Sequence, residues 1–240
     1  MKMGTCREGW VWGAAYNAGM STRSTDYREA VDHLPEGATL VVQDISWEDY
    51  EQLLEELADR PGVRVTYDEG KLEIMSPLPE HEKCKRFIER IIDTLGDELD
   101  LNVEPFGSTT WKRKRDRKGA EPDSCYYVAS ADQIIGKRKI DLNVDPPPDL
   151  VVEIDATSES ASKFPIYSAF AIPEIWRCDL KRSRVQIYEL RGSAYVEVPS
   201  GHSFPFLTAA ALTDFVNQSK TQSQKAVLAA FRRWIKTATD

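Results

Sequence analysis

The chain has 240 residues, of which 41% are hydrophobic, and its formal net charge is -8. This composition supports a substantial hydrophobic core and argues against disorder. No apolar run reaches the ~18 residues of a membrane span, so we expect no membrane partner. The acidic balance argues against a broad, non-specific nucleic-acid binder. It still allows a nuclease, because local charge and bound metal matter more at such a site.

Residues 1–25 differ from the rest of the sequence. They show neither a helical period nor a cap, so we predict an unstructured extension, with the natural start at Met20. The alternative is an ordered arm that buries Trp10 and Trp12. Residues 26–240 are expected to form a single domain.

The cysteines predict free thiols rather than disulfides or a zinc site. The four of them lie far apart and form no CxxC pair, and Cys84 and Cys125 fall inside predicted elements. We therefore expect buried free thiols in a reducing cytoplasm.

Caps and hydrophobic periods predict the first regular elements. Ser46 is expected to cap a helix that ends before Pro61. Residues 63–67 and 71–75 alternate as the strands of a hairpin. A long amphipathic helix follows, over about 81–99.

His81 and Glu82 lie in the first turn of that long helix. Glu82 is a candidate for a functional site, and the alternative is a carboxylate that complements the helix dipole. For His81, we expect a surface or capping histidine.

Residues 101–106 and 108–114 are predicted to form a strand pair turned at Gly107. The end of that pair is basic, and its candidate nucleic-acid contacts are Trp111, Lys112, Arg113, Lys114 and Arg115. One interpretation is a phosphate-contacting edge, with Trp111 available to stack on a base. The other is a solvated hairpin tip.

The second half of the chain mixes short strands with helices. Strands are expected over 123–130, 149–155, 174–179, 184–190 and 194–198. A short helix over 157–171 and a helical tail over 208–236 complete the pattern. Because hairpins dominate, the sequence indicates an α+β domain with peripheral helices rather than a doubly wound fold.

Two carboxylates interrupt the most apolar strand. Glu153 and Asp155 share one face with Val151, whereas Val152 and Ile154 face the other way. Burying two carboxylates side by side is costly unless a cation or a hydrogen-bond network holds them. A hard divalent metal ion prefers such oxygen ligands, and a buried structural salt bridge is the competing account.

Asp123 opens the strand predicted over 123–130, directly after Pro122. It can lie near Glu153 only if the two strands are neighbours, which sequential strands often are. The alternative is an ordinary turn residue.

Several stretches together resemble a known family. They are Leu72-Glu-Ile-Met-Ser-Pro77 with His81-Glu82, Gly107-Ser-Thr-Thr110, Glu121-Pro-Asp-Ser124, Pro148-Asp-Leu-Val-Val-Glu-Ile-Asp155, Lys163-Phe-Pro-Ile-Tyr167 and Pro173-Glu-Ile-Trp176. Over about residues 45–206 the chain resembles the Uma-two family of restriction endonuclease-like proteins, a branch of the PD-(D/E)xK nuclease superfamily. The resemblance implies a mixed central β-sheet flanked by helices, with a peripheral hairpin and a C-terminal helix.

The resemblance also implies an activity, which is hydrolysis of DNA phosphodiester bonds with Mg²⁺ or Mn²⁺ by a homodimer. Asp123 and Glu153 match the acidic residues of the superfamily motif. Asp155 occupies the position where the superfamily pattern has lysine, and Lys163 from the following helix matches the substitute. Glu82 would add an outer ligand or position water.

The implied mechanism is attack of water on the phosphodiester. Asp123, Glu153 and the Ile154 carbonyl would hold the metal, with Asp155 as a further ligand. Lys163 would orient or deprotonate the water, or stabilise the developing charge. The alternative function is a catalytically silent nucleic-acid-binding or protein-interaction module on the same fold.

Overall fold

The computed structural model describes residues 31, 33–58, 62–156 and 160–239. The predictions for residues 1–25 lie outside the described residues, and the single domain stays a prediction. The helix that was predicted to end before Pro61 ends at Leu57. The fold mixes helices with strands in two sheets, which confirms the predicted α+β class. None of the helices in the described part of the chain combines the length and hydropathy that a bilayer crossing requires.

The elements follow one another in chain order. They are β1 (Thr39–Val42), α1 (Trp47–Leu57), β2 (Arg64–Asp68), β3 (Lys71–Met75), α2 (Pro79–Leu99), β4 (Glu104–Pro105), β5 (Trp111–Arg113), β6 (Lys118–Ala120), β7 (Ser124–Tyr127), β8 (Leu150–Asp155), α3 (Phe164–Ala169), β9 (Glu174–Asp179), β10 (Arg184–Arg191), β11 (Ala194–Val198), α4 (Ala209–Thr221) and α5 (Gln224–Thr239).

The first sheet is antiparallel and has the strand order β1-β3-β2-β6-β5. Helix α1 packs against it through aromatic side chains, with the rings of Tyr50 and Tyr67 stacked 4.7 Å apart. The Ser46 hydroxyl accepts the Asp49 N–H at 3.0 Å, which satisfies one of the free donors at the helix start. The predicted cap and the predicted hairpin of β2 and β3 are therefore confirmed.

The second sheet has the order β11-β10-β9-β8-β7-β4, and within it β8 and β9 run parallel while the other pairs are antiparallel. Val152 and Ile154 belong to a core that includes side chains of α2, α4 and α5. Val151 belongs instead to a second core with Trp111 and Ile166. The predicted alternation of β8 is confirmed, and its Glu153 face lies on the side of α3 and the first sheet.

The predicted strand pair turned at Gly107 is wrong. Strand β4 pairs with β7 in the second sheet, whereas β5 pairs with β6 in the first. Gly107, at a φ of 55°, lies where the chain passes from one sheet to the other. A partner for β5 is available close by, because the turn at Lys114–Asp116 brings β6 alongside it. Local sequence does not distinguish these two pairings.

Two predicted helices differ in detail from the structure. Residues Ser160–Lys163 form a short 3₁₀ turn before α3, and 157–159 lie outside the described residues. The helical tail is broken into α4 and α5, because Gln222 adopts an extended conformation after α4.

Candidate active site

Strand pairing brings the two acidic stretches together. Strands β7 and β8 are antiparallel neighbours, with Ser124 opposite Val152. Asp123, one residue before Ser124, therefore lies next to Glu153 at the end of the β7 ladder. The two strands are therefore neighbours, which is the condition under which Asp123 and Glu153 can share one site.

Lys163 and Glu153 form a buried ion pair; they are 8% and 2% exposed. The ammonium of Lys163 donates to Oε2 of Glu153 at 2.9 Å and to Oε1 at 3.1 Å, and it also reaches the Glu121 carbonyl at 3.0 Å. The Tyr167 hydroxyl donates to Oε1 as well. Pro165 lies in the first turn of α3, where it costs the helix no hydrogen bond, and Lys163 is the N-cap residue directly before that helix.

Asp123 is held from two directions. Its Oδ2 accepts the Ile154 N–H at 2.7 Å and lies 3.0 Å from Nε2 of His81. Its Oδ1 is 3.6 Å from Nε of Arg64 and has no hydrogen-bond partner among the described residues. Thus β8 and α2 position one carboxylate oxygen of Asp123 and leave the other available.

The pKa values of the two carboxyl groups move in opposite directions, although burial alone would raise both. Burial raises the pKa of Glu153 to about 7, with the charge of Lys163 opposing this rise and the charge of Asp123 adding to it. For Asp123, burial opposes ionisation, but the His81 hydrogen bond, the Lys163 charge and the Ile154 N–H outweigh it and lower the pKa. For Lys163, burial is outweighed by the charges of Glu153 and Asp123, which raise the pKa. Asp123 and Lys163 are therefore charged at neutral pH, whereas Glu153 titrates near it.

Asp155 does not point its carboxylate at this pair. Its Oδ2 accepts from Nε of Arg177 at 2.6 Å, and its Oδ1 accepts the Ser160 N–H at 2.9 Å. Both oxygens are used to hold β9 and the connection to α3. The competing salt-bridge account describes these contacts, but Asp155 also lines the small cavity beside the ion pair, so its role as a metal ligand stays a prediction.

A small cavity of about 40 Å³ opens beside the ion pair. Its lining includes Glu153, Ile154, Lys163 and Arg64. The volume suits one water molecule or a small ion, and its walls offer polar partners for either.

The residues fit a Mg²⁺ or Mn²⁺ ion by the chemistry of their donors. Among the described residues, no group of three or more His, Cys, Asp or Glu side chains is arranged to hold a metal ion. Mg²⁺, however, is commonly bound through one or two carboxylates plus water and substrate oxygens. Asp123, with its unused Oδ1, Glu153 and the Ile154 carbonyl provide a set of this kind.

Three further residues at the site were not predicted from the sequence. His81 is buried and contacts Asp123, although a surface or capping position was expected. Its place on the apolar stripe of α2, three residues before the buried Cys84, is the signal that marks it. Tyr167 and Arg64 carry no comparable local signal, because α3 and β2 approach Glu153 and Asp123 only in the folded chain.

Glu82 lies at the rim of the site. Its side chain is 46% exposed, and its Oε1 is 3.7 Å from Nη2 of Arg64 and 3.4 Å from Nδ1 of His81. It contacts the residues that support Asp123 rather than Asp123 itself, so its predicted catalytic role stays a prediction.

The basic stretch is only partly exposed, which corrects two predicted contacts. Trp111 is 1% exposed and packs in the core, so it cannot stack on a base. Arg113 is also buried, where it donates to the carbonyl of Ala169 and lies over the Phe170 ring. Alternation along β5 explains both, because Trp111 and Arg113 share the inward face.

The remaining members of the stretch lie on the surface, each beside a carboxylate. The pairs are Lys112 with Glu51, Lys114 with Glu48, and Arg115 with Asp116. These partners offset much of the positive charge of the basic stretch. The role of the three residues as phosphate contacts stays a prediction.

Comparisons with known proteins give a solved structure and a family model that match this chain. A protein from Anabaena variabilis ATCC 29413, described as a "putative nuclease belonging to DUF820", has a solved structure that is 17% identical and covers 72% of this chain and 99% of its own, with a TM-score of 0.49. No curated protein matches. The model of the Uma2 family, described as "Putative restriction endonuclease", matches residues 47–218, which is most of the chain. The chain therefore belongs to the Uma2 family.

Proposed function

We propose that this protein is a metal-dependent endonuclease that hydrolyses DNA phosphodiester bonds by attack of water. The observation that carries the proposal is the position of Lys163, whose ammonium reaches Glu153 from the start of α3 at 2.9 Å. A buried lysine, two carboxylates and a small polar cavity form a set typical of phosphodiester hydrolysis. Membership of the Uma2 family supports the same reaction class.

Asp123, Glu153 and the Ile154 carbonyl would hold Mg²⁺ or Mn²⁺. When bound, the ion would polarise the phosphate and lower the pKa of bound water. His81 keeps Asp123 oriented, and Tyr167 keeps Glu153 oriented, through the hydrogen bonds already described. Both carboxylates are thus preorganised by their neighbours.

Lys163 and Arg64 are the cations that face the cavity. Negative charge grows on the phosphate oxygens as water attacks, and preorganised cations in a buried site stabilise that charge strongly. Lys163 can also orient the attacking water by redirecting one of its donors, which contact Glu153 and the Glu121 carbonyl in this structure, because its stem is flexible. Arg64 is the less constrained of the two, since its Nε has no hydrogen-bond partner among the described residues.

A catalytically silent nucleic-acid-binding or interaction module is the second candidate. One observation favours it, because both oxygens of Glu153 already accept hydrogen bonds, from Lys163 and Tyr167. Such a closed arrangement also suits a purely structural ion pair. The module predicts DNA or protein binding without cleavage.

Plasmid nicking by the purified protein with Mg²⁺ or Mn²⁺ separates the two. Lys163→Ala should lower the nicking rate by ~10²–10³ and leave Mn²⁺ affinity in place, since the ammonium is not a ligand. Glu153→Ala should abolish both nicking and Mn²⁺ binding in a calorimetric titration. If wild-type protein binds DNA but does not nick it with either metal, the silent module is the function.

Lys236→Ala is the matched control. Lys236 also pairs with a carboxylate, 3.8 Å from Glu98. Glu98 lies seventeen residues after His81 on α2, about 25 Å along the helix axis, so this variant should nick at the wild-type rate. An equal loss in Lys236→Ala and Lys163→Ala would mean that neither lysine acts at the site.

Two further parts of the proposal concern assembly and location. A homodimer is implied by the family resemblance, and sedimentation of the purified chain tests it. A cytoplasmic location is supported by the free thiols of Cys84, Cys125 and Cys178, which are typical of a reducing compartment.

A further inference from the structure

Two buried cysteines that are remote in sequence lie close together, where α2 packs against β9. Sγ of Cys84 on α2 lies 3.2 Å from Sγ of Cys178 on β9, although 94 positions separate them along the chain. Both thiols are free. Their sulfur atoms need to approach by only about 1 Å to reach the length of a disulfide bond.

An oxidant has a route to one of the two sulfurs. A cavity of about 400 Å³ lies between the start of α2, the end of β9 and α4, and Cys84 lines it. Glu80, Lys83 and Lys220 also line the cavity, so charged side chains of both signs surround its mouth. Cys178 is not among the lining residues and is 1% exposed, against 8% for Cys84. Cys84 is thus the sulfur that a small molecule meets first.

We propose that Cys84 and Cys178 form an oxidation site that takes peroxide-class oxidants and closes to a disulfide. In the first step the Cys84 sulfur attacks one peroxide oxygen, the O–O bond breaks, and a sulfenic acid and water form. In the second step the Cys178 sulfur attacks the Cys84 sulfur, the S–O bond breaks, and the hydroxyl leaves as water. The sum is two thiols and one peroxide giving one disulfide and two waters.

The disulfide would join α2 to β9, the strand beside β8, and α2 and β8 carry the residues that support Asp123. Cys84 follows His81 by one turn of α2, and Cys178 is the register partner of Ile154 on the parallel strand β8. His81 and Ile154 are the residues that hydrogen-bond to Asp123. Oxidation would therefore fix the start of α2 against the sheet at the place where Asp123 is held. This inference does not depend on the proposed nuclease activity.

Peptide mapping of the oxidised wild-type protein tests the proposal. The reduced protein is treated with hydrogen peroxide, unfolded, alkylated, digested and analysed by mass spectrometry. The expected product is a peptide pair joined through Cys84 and Cys178 that dithiothreitol separates. Cys125 serves as an internal control, because its buried thiol contacts the Gly107 carbonyl and should stay alkylatable. Oxidation of Cys84 to sulfinic acid without a disulfide, or a disulfide through other cysteines, would overturn the proposal.

Thermal unfolding gives a second, independent measurement. A cross-link across so long a loop should raise Tm by ~5–15 °C relative to the reduced protein. Cys84→Ser and Cys178→Ser should each abolish the shift, and Cys125→Ser should retain it. An unchanged Tm after quantitative formation of the disulfide would contradict the claim that it fixes α2 on the sheet. Because mapping uses wild-type protein, the test stands even where a serine variant folds poorly.

Discussion

The Lys163–Glu153 pair makes the sharpest prediction for stability. At pH 8 Glu153 is ionised, since burial raises its pKa only to about 7, and Lys163 is its charged partner. Lys163→Met removes the charge while keeping an unbranched side chain. It leaves a buried carboxylate whose remaining side-chain donor, among the described residues, is Tyr167. Breaking a buried pair in this way costs ~3–5 kcal/mol of unfolding free energy.

Removing both charges should have a much smaller effect. In the double variant Glu153→Gln with Lys163→Met, the amide oxygen can still accept from Tyr167, and no charge of this pair remains buried. Replacing an entire buried ion pair is often neutral or stabilising by ~1–4 kcal/mol. The two single changes should therefore show a coupling energy of at least ~3 kcal/mol, because the cost of leaving one charge unpaired is absent from the double variant.

Urea unfolding followed by circular dichroism measures these differences, provided that the slope with urea stays constant among the variants. Lys236→Met is the matched control, because its pair with Glu98 is exposed and should be worth less than ~1 kcal/mol. A Lys163→Met variant that stays within ~1 kcal/mol of wild type at pH 8 would refute the role of the pair. The role of the pair would also be refuted if the unfolding free energy lost in the double variant equalled the sum of the losses in the two single variants.

Three further predictions concern pH, catalysis and binding. Burial raises the pKa of Glu153 from 4.5 to about 7, so the folded protein binds this proton more tightly than the unfolded chain does. Protonation of Glu153 therefore stabilises the fold fully below pH 4.5, and this stabilisation is lost as the pH rises to about 7. The unfolding free energy of wild type relative to the double variant without both charges should therefore fall by ~2–3 kcal/mol between pH 5 and pH 8, and a flat difference would refute the shift. Arg64→Met should slow nicking by ~10²-fold without changing Mn²⁺ affinity in a titration, whereas a loss of metal binding would show that Arg64 only organises the ligands. Alanine replacement of the three exposed basic residues should weaken the salt dependence of DNA binding. The slope of log K against log salt concentration should become shallower by ~0.9 for each phosphate contact that is lost. An unchanged slope would mean that these residues serve only their carboxylate partners. These residues are Lys112, Lys114 and Arg115.

Local signals were sufficient for much of the fold. The Ser46 cap, the hairpin of β2 and β3 and the alternation along β8 depend on neighbours within a few residues, and all are present. Lys163 could also be placed from sequence, because Pro165 restricts where α3 can begin. That restriction brings the lysine to the end of the strand that carries Glu153.

The remaining features depend on contacts between distant segments. Alternation predicts that Trp111 and Arg113 share one face of β5, but not that this face is the buried one. That outcome follows from the pairing of β5 with β6 in the first sheet, which the sequence near Gly107 does not specify. Arg64 likewise reaches Asp123 from a strand of the other sheet. In both cases the missing information is which sheet a short strand joins.

The structure gives a physical reason for the proposal that Lys163, rather than a residue at position 155, supplies the cation of the site. The carboxylate of Asp155 accepts from Arg177 on β9 and from the Ser160 N–H, so this position joins β8, β9 and the connection to α3. A lysine there would lose those bonds and bring a second buried cation against Arg177, at a cost of several kcal/mol. Lys163 approaches Glu153 from the opposite end of that connection, where the Glu121 carbonyl supplies its remaining acceptor. In the proposed site, Lys163 supplies the cation, and Asp155 anchors the connection that leads to it. We therefore propose that the two departures from the pattern that the resemblance implies depend on each other.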